Sequence, residues 1–129
     1  MRQILIFSAA AEAGTGIALM LGPSIVIPLL LRGTTTDLAI WLGRFVGVAL
    51  LSLGLACWPE PHRPTVSVAA FRAMLTYNTL VALLFGYLGA VVHVGGLLMW
   101  PAALLHLVIA LLLWMRRRDT RRPTRAEPN

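Results

Sequence analysis

A chain of 129 residues that is 58% hydrophobic and only 12% charged does not suit a water-soluble globule, because a domain this small keeps too much surface for so few polar residues to cover. Its net charge of +6 comes from 11 basic residues, all arginine, and six of these crowd the C-terminus directly after an apolar stretch. That placement favours an anchor facing anionic lipid and argues against nucleic-acid binding.

A helix needs roughly 20 apolar residues to cross a hydrocarbon core of about 30 Å, and the chain offers four such runs. The first extends from Ile4 to Leu21 and stops at Gly22-Pro23. A secretory signal is the rival reading of this segment. The apolar run before Ser8 is short for that, and Glu12 sits where a cleavage site wants small residues. Ser24 to Leu31 contains Pro28 and is too short to cross, so it reads as an interfacial helix or re-entrant bend. Asp37 is the expected N-cap of the second span, Leu38 to Trp58, which ends at the break Pro59-Glu60-Pro61-His62-Arg63-Pro64. The third span covers Ser67 to Gly89. The fourth covers Leu97 to Met115, after a turn marked by Gly95-Gly96.

The expected architecture is all-α: residues 1–118 form one four-transmembrane-helix bundle with a short interfacial helix after the first span. Residues 119–129, polar and with two prolines, read as a disordered basic tail. With four spans, Arg2, Arg63 and the C-terminal arginines share one side, against Arg32 offset by Asp37 on the other. The positive-inside rule then places both termini in the cytoplasm. Trp41, Trp58, Trp100 and Trp114 fall near span ends, as in an aromatic belt. Arg116, Arg117, Arg118, Arg121 and Arg122 are the expected lipid-headgroup anchors.

Five polar residues interrupt the apolar spans: Glu12, Arg44, Arg72, Asn78 and His106. In lipid each costs several kcal/mol unless it pairs or faces a wet cavity. At 1.5 Å per residue, Glu12 and Arg72 lie about 12 and 8 Å from the cytoplasmic face, and Asn78 and His106 about 16 and 15 Å. Arg44, entering from the other face, lies near 21 Å. Glu12 with Arg72 is therefore the expected ion pair, and Asn78 with His106 the expected hydrogen bond. Arg44 has no acid at its own depth; it reaches inward to Glu12, snorkels outward, or bonds Tyr87 and loop carbonyls. Tyr77 and Tyr87 complete the candidate ligand-binding or ion-pairing set. Simple interhelical hydrogen bonding explains these residues as readily as a binding or proton-transfer site does.

Small residues surround the charges. The first span reads Ala9-Ala10-Ala11-Glu12-Ala13-Gly14-Thr15-Gly16, and Gly43 and Gly47 flank Arg44. Small residues four apart let helices approach closely, which is expected to turn both charges inward.

Other chemistry is thinly represented. Cys57 is the only cysteine, so no internal disulfide forms, and it reads as a small buried hydrophobe. His93 and His106 stand thirteen residues apart, well off one helical face, so haem is not expected. The three histidines and Cys57 lack metal-ligand spacing, and no phosphate-binding, dinucleotide or nucleophile motif appears. Catalysis of its own is not expected; at most the chain is an accessory subunit of a membrane oxidoreductase.

The stretches Glu12-Ala13-Gly14-Thr15-Gly16 with Gly22-Pro23, and Gly43-Arg44-Phe45-Val46-Gly47 leading to Leu53-Gly54, resemble the DoxX-like group of small four-helix bacterial membrane proteins. The resemblance covers the first half of the chain. It implies the four-helix fold and, for some members, a place in quinone-linked sulfur oxidation; of site residues it carries over only Arg44 with Gly47. Three functions follow for an integral membrane protein of this kind. It is a non-catalytic subunit or quinone- or lipid-binding module, with no other cofactor; or an oligomeric small-solute or ion transporter or channel subunit using Glu12 and Arg44; or a structural scaffold. The expected partners are membrane lipid and a homo-oligomer or larger membrane complex.

Overall fold

The computed structural model describes residues 1–32, 34–60 and 65–119, with side chains through Arg116. Five helices make up the described residues: α1 (Arg2–Leu21), α2 (Pro23–Leu30), α3 (Asp37–Ala56), α4 (Val68–Ala90) and α5 (Met99–Asp119). α1, α3, α4 and α5 are each long and apolar enough to cross a membrane.

Local chemistry sets the boundaries. The Gly22 N–H closes α1 on the Ala18 carbonyl at 2.9 Å, and Pro23, with no N–H of its own, opens α2. The cap of α3 is Thr36, one residue before the expected Asp37: its hydroxyl accepts the Ala39 N–H at 3.2 Å. Asp37 instead puts its carboxylate in the first turn, where the positive end of the helix dipole favours it. Ser67 caps α4 by accepting from Ala70 N–H. The break at Pro59 and Glu60 separates α3 from α4; residues 61–64 lie outside the described residues. α5 runs on to Asp119, so the first residue of the expected tail is helical, and residues 120–129 lie outside the described set.

The four long helices form two antiparallel pairs, α1 with α3 and α4 with α5, and α1 alone makes more than slight contact with both members of the other pair. Glycines make the first pair tight. A Cβ on Gly16 would lie 2.6 Å from the Gly47 carbonyl oxygen, one on Gly47 2.7 Å from that of Gly16, and one on Gly54 2.6 Å from that of Ala9. The small-residue spacing thus brings α1 and α3 backbone to backbone as expected, but of the two charges expected to turn inward only Glu12 does so. In α5 the inward positions recur at Met99, Ala103, His106, Ala110 and Leu113, alternately four and three apart. That repeat suits shallow left-handed packing on α4 and puts His106 at its centre.

One apolar cluster ties the pairs together at the end of the molecule that holds both the start of α1 and the end of α5. It contains Leu5, Ala9, Cys57, Phe71, Met74, Ile109 and Leu113. At the opposite end the turn before α5 grips α2: Gly96 N–H bonds the Leu30 carbonyl at 2.9 Å and Leu98 N–H that of Leu29 at 2.8 Å. Pro28 inside α2 has no N–H to donate to its backbone ladder, and these two bonds satisfy carbonyls at the helix end that would otherwise be orphaned. Elsewhere the outside is apolar: Phe45, Leu83 and Leu104 are all more than 60% exposed. Helices apolar on every face require an apolar solvent around them.

Candidate functional site

Between the two pairs, above the apolar cluster, three helices bring polar groups together. α1 supplies Ser8 and Glu12, one turn apart on one face; α4 supplies Tyr77 and Asn78; α5 supplies His106. Ser8 and Asn78 are completely buried and Glu12 is 2% exposed. The side chain of His106 retains 13% exposure.

The hydrogen bonds have a defined direction. Asn78 Nδ2 has two protons and donates to the Ser8 hydroxyl at 3.0 Å and to the Met74 carbonyl at 2.9 Å. The Met74 carbonyl can only accept and so requires the nitrogen there, which leaves Oδ1 as the atom that faces His106 Nδ1, at 2.9 Å. His106 must therefore carry its proton on Nδ1. The chain continues from the Ser8 hydroxyl to Met74 Sδ at 3.3 Å. Asn78 joins α1, α4 and α5 with its own side chain, and the expected Asn78–His106 bond is present.

Glu12 has a different partner from the one expected. Its Oε1 lies 3.8 Å from His106 Nδ1, and the Tyr77 hydroxyl interacts with the same carboxyl. Tyr77 and Phe85 both set ring edges against the imidazole, with centroids 5.7 and 6.3 Å away. Oε1 is sealed from the surface and accepts no hydrogen bond. Arg72 is exposed on α4 and does not reach it. The reason is angular: six residues separate Arg72 from Asn78, which rotates it about 120° away from the seam. Depth along the axis cannot reveal this.

Arg44 is corrected in the same way. Gly43, Gly47 and Gly54 face α1 and α2, whereas Arg44 lies about 80° round α3 from that face and is exposed. Its guanidinium rests over the Trp41 ring, 4.9 Å from the centroid, one turn nearer the helix end. Of the three roles open to it, outward snorkelling onto an aromatic ring is the one adopted. Glu12 and Arg44 are therefore on different sides of the α1–α3 pair.

A second feature lies on the outer face of α4 and α5. A groove of about 780 Å³ runs between them, floored by Thr79, Ala82, Gly86, Ala103 and Ala110 and walled by leucines. Tyr87 and Trp100 stand at one end and Trp114 at the other. Tyr87 belongs to this groove and not to the polar seam. The hydroxyl of Thr79 is committed to the Leu75 carbonyl at 2.7 Å. Asn78 and His106 do not line the groove, so the floor offers no polar group besides the committed hydroxyl of Thr79. Arg116 is exposed at the end of α5; the side chains of Arg117 and Arg118, and all of Arg121 and Arg122, lie outside the described set.

Sequence reasoning passed over Ser8, which had no base beside it in the chain. Its signal was positional: it lies one turn before Glu12, on the face that meets Asn78. No group of histidine, cysteine, aspartate and glutamate able to hold a metal ion occurs among the described residues. No protein-family model matches the chain, and neither does any curated protein or solved structure.

Proposed function

We propose that this chain is a non-catalytic, multi-pass protein of the bacterial inner membrane, with both termini cytoplasmic, that holds a hydrocarbon chain of a membrane lipid in the α4–α5 groove. The groove carries this reading. Trp100 to Trp114 is 14 residues of helix, about 21 Å, so the groove follows most of a bilayer core of about 30 Å. Its floor is built from small residues and its ends from amphipathic aromatics, which suit the boundary where a lipid chain meets its polar headgroup. Bulk lipid already solvates such a chain, so retention here comes from close packing along the small-residue floor.

A lipid chain fits better than a quinone head. Thr79 has spent its hydroxyl, and Tyr87 is the only other side-chain hydroxyl along the lining. A transport path using both Glu12 and Arg44 is disfavoured, because the two face different sides and Glu12 is sealed. The resemblance to DoxX-like proteins belongs to the same proposal, and its best-matched stretches are those that pack α1 against α3.

Gly86→Phe tests the reading. Nothing lies within 4 Å of a Cβ built on Gly86, so a ring there fills the groove and leaves the α4–α5 contact in place. Native mass spectrometry of detergent-purified protein is expected to show lipid retained by the wild type and lost from Gly86→Phe. Equal retention by both proteins, or none by either, overturns it.

A further inference from the structure

The polar seam contains an unmet hydrogen-bonding site that the groove does not explain. Both Asn78 amide protons are used, by Ser8 and Met74. The Ser8 proton goes to Met74 Sδ and that of His106 Nδ1 to Asn78 Oδ1. Tyr77 is left as the one donor directed to the Glu12 carboxyl, and Glu12 Oε1 has none. A buried carboxylate oxygen without a donor is costly in a low-dielectric interior. The cluster is one proton short.

We infer that Glu12, His106 and Tyr77 form a reversible proton-binding site within the membrane-spanning region. The occupant is a proton and not a metal ion or a solute, because Oε1 has no surface through which anything larger could reach it. Uptake adds one proton and releases nothing: it converts the Glu12 carboxylate to the acid, or His106 to imidazolium beside a carboxylate. In either form the buried charge is cancelled. His106 is the side through which the proton enters, since it keeps some exposure while Glu12 keeps almost none. Asn78 is a positioning residue: it holds the Nδ1 proton on its own Oδ1 at 2.9 Å, against 3.8 Å to Glu12 Oε1.

Among the described residues no further charge faces the site. From α3, the backbone around Gly54 and Gly47 packs on α1, while Arg44 is turned outward onto Trp41. α2 has no titratable residue. From α4 the facing group is Tyr77, with Arg72 exposed and off the seam; from α5 it is His106, with Arg116 ten residues further on, about 15 Å.

The chain has three glutamates, Glu12, Glu60 and Glu127. Glu60→Gln and Glu127→Gln with His62→Gln and His93→Asn, expressed with ¹³C-labelled glutamate, leave Glu12 as the only labelled carboxyl and His106 as the only imidazole without touching the seam. Infrared spectra of this protein in lipid, titrated over about pH 5 to 9, are expected to show the labelled band interconvert between carboxylate and carboxylic acid, or remain carboxylate while imidazolium bands titrate. In either case Tyr77→Phe is expected to shift the midpoint. A Glu12 band and imidazole bands that are both constant across the range overturn the proposal. A midpoint unmoved by Tyr77→Phe overturns the three-residue site. Neither result bears on lipid retention in the groove, so the two readings fail separately.

Discussion

His106 Nδ1 donates to Asn78 Oδ1 across 2.9 Å, and this one bond fixes the imidazole tautomer and joins α4 to α5 in the same plane where Asn78 also holds α1. Without Asn78 the pairs would meet mainly through the apolar cluster at one end. Asn78→Leu removes two interhelical bonds and leaves the Nδ1 donor of His106 and the acceptor of Ser8 unmatched. Interhelical hydrogen bonds in membranes average about 0.6 kcal/mol and reach about 1.7. A loss of about 1–3 kcal/mol is expected in denaturant unfolding from detergent, and a loss below about 0.5 would show that the bonds contribute little net stability.

The corrected placement of Arg72 gives a prediction of near neutrality. With its guanidinium exposed and about 120° from the seam, Arg72→Gln is expected to change stability by less than about 0.5 kcal/mol. A double-mutant cycle of Glu12→Gln with Arg72→Gln is expected to show no coupling beyond error. A coupling of 1 kcal/mol or more would restore the ion pair that depth alone suggests.

Arg44 differs in kind, because it has a partner in Trp41. An exposed cation–π contact is worth about 0.5–1 kcal/mol. Arg44→Leu and Trp41→Leu are each expected to cost about that much or less, and the double variant no more than either single one. With Trp58, Trp100 and Trp114 replaced by Phe, the emission of Trp41 is expected to change in Arg44→Leu. Unchanged emission would mean that the guanidinium spends its time elsewhere.

These outcomes show which part of the site was legible in the chain. Helix number and approximate ends were, since run length and Gly22-Pro23 act locally, although the cap of α3 is Thr36 where Asp37 was expected. The level of Asn78 with His106 was as well, because rise per residue converts position into depth. Azimuth was not. The pairing of Glu12 depends on which way α1 and α4 are rotated, and that is set by contacts far apart in sequence, such as Gly54 against Ala9. The groove was hidden for the same reason, since its floor combines Ala82 and Gly86 with Ala103 and Ala110 from another helix.

The α2 clasp makes a prediction about local opening. A Cβ on Gly96 would fall on the Leu29 carbonyl group, so Gly96→Ala forces the turn away and breaks the bonds to Leu29 and Leu30. Hydrogen exchange at the amides of residues 96 and 98 is expected to speed up by at least tenfold while the α4–α5 amides stay protected. Uniform acceleration would mean that the clasp holds the whole fold and not just its own end.

Two glycines one half-turn apart on α1 should respond in opposite senses. A Cβ on Gly14 meets nothing within 4 Å, whereas one on Gly16 would lie 2.6 Å from both the Gly47 carbonyl oxygen and the Leu51 nitrogen. Those neighbours are backbone and cannot swing aside, so the helices must part. Separation would loosen the contacts that Gly47 and Gly54 also make, and overpacking of this sort costs about 1–3 kcal/mol or more. Gly14→Ala adds a methyl on an exposed face and removes backbone freedom, which favours the helix by about 0.5–1 kcal/mol. Unfolding midpoints should therefore rise or hold for Gly14→Ala and fall for Gly16→Ala. Gly47→Ala should behave like Gly16→Ala, and the double variant should cost less than the sum, because each alone already forces the same parting. If Gly16→Ala is as stable as the wild type, α1 and α3 are not in backbone contact.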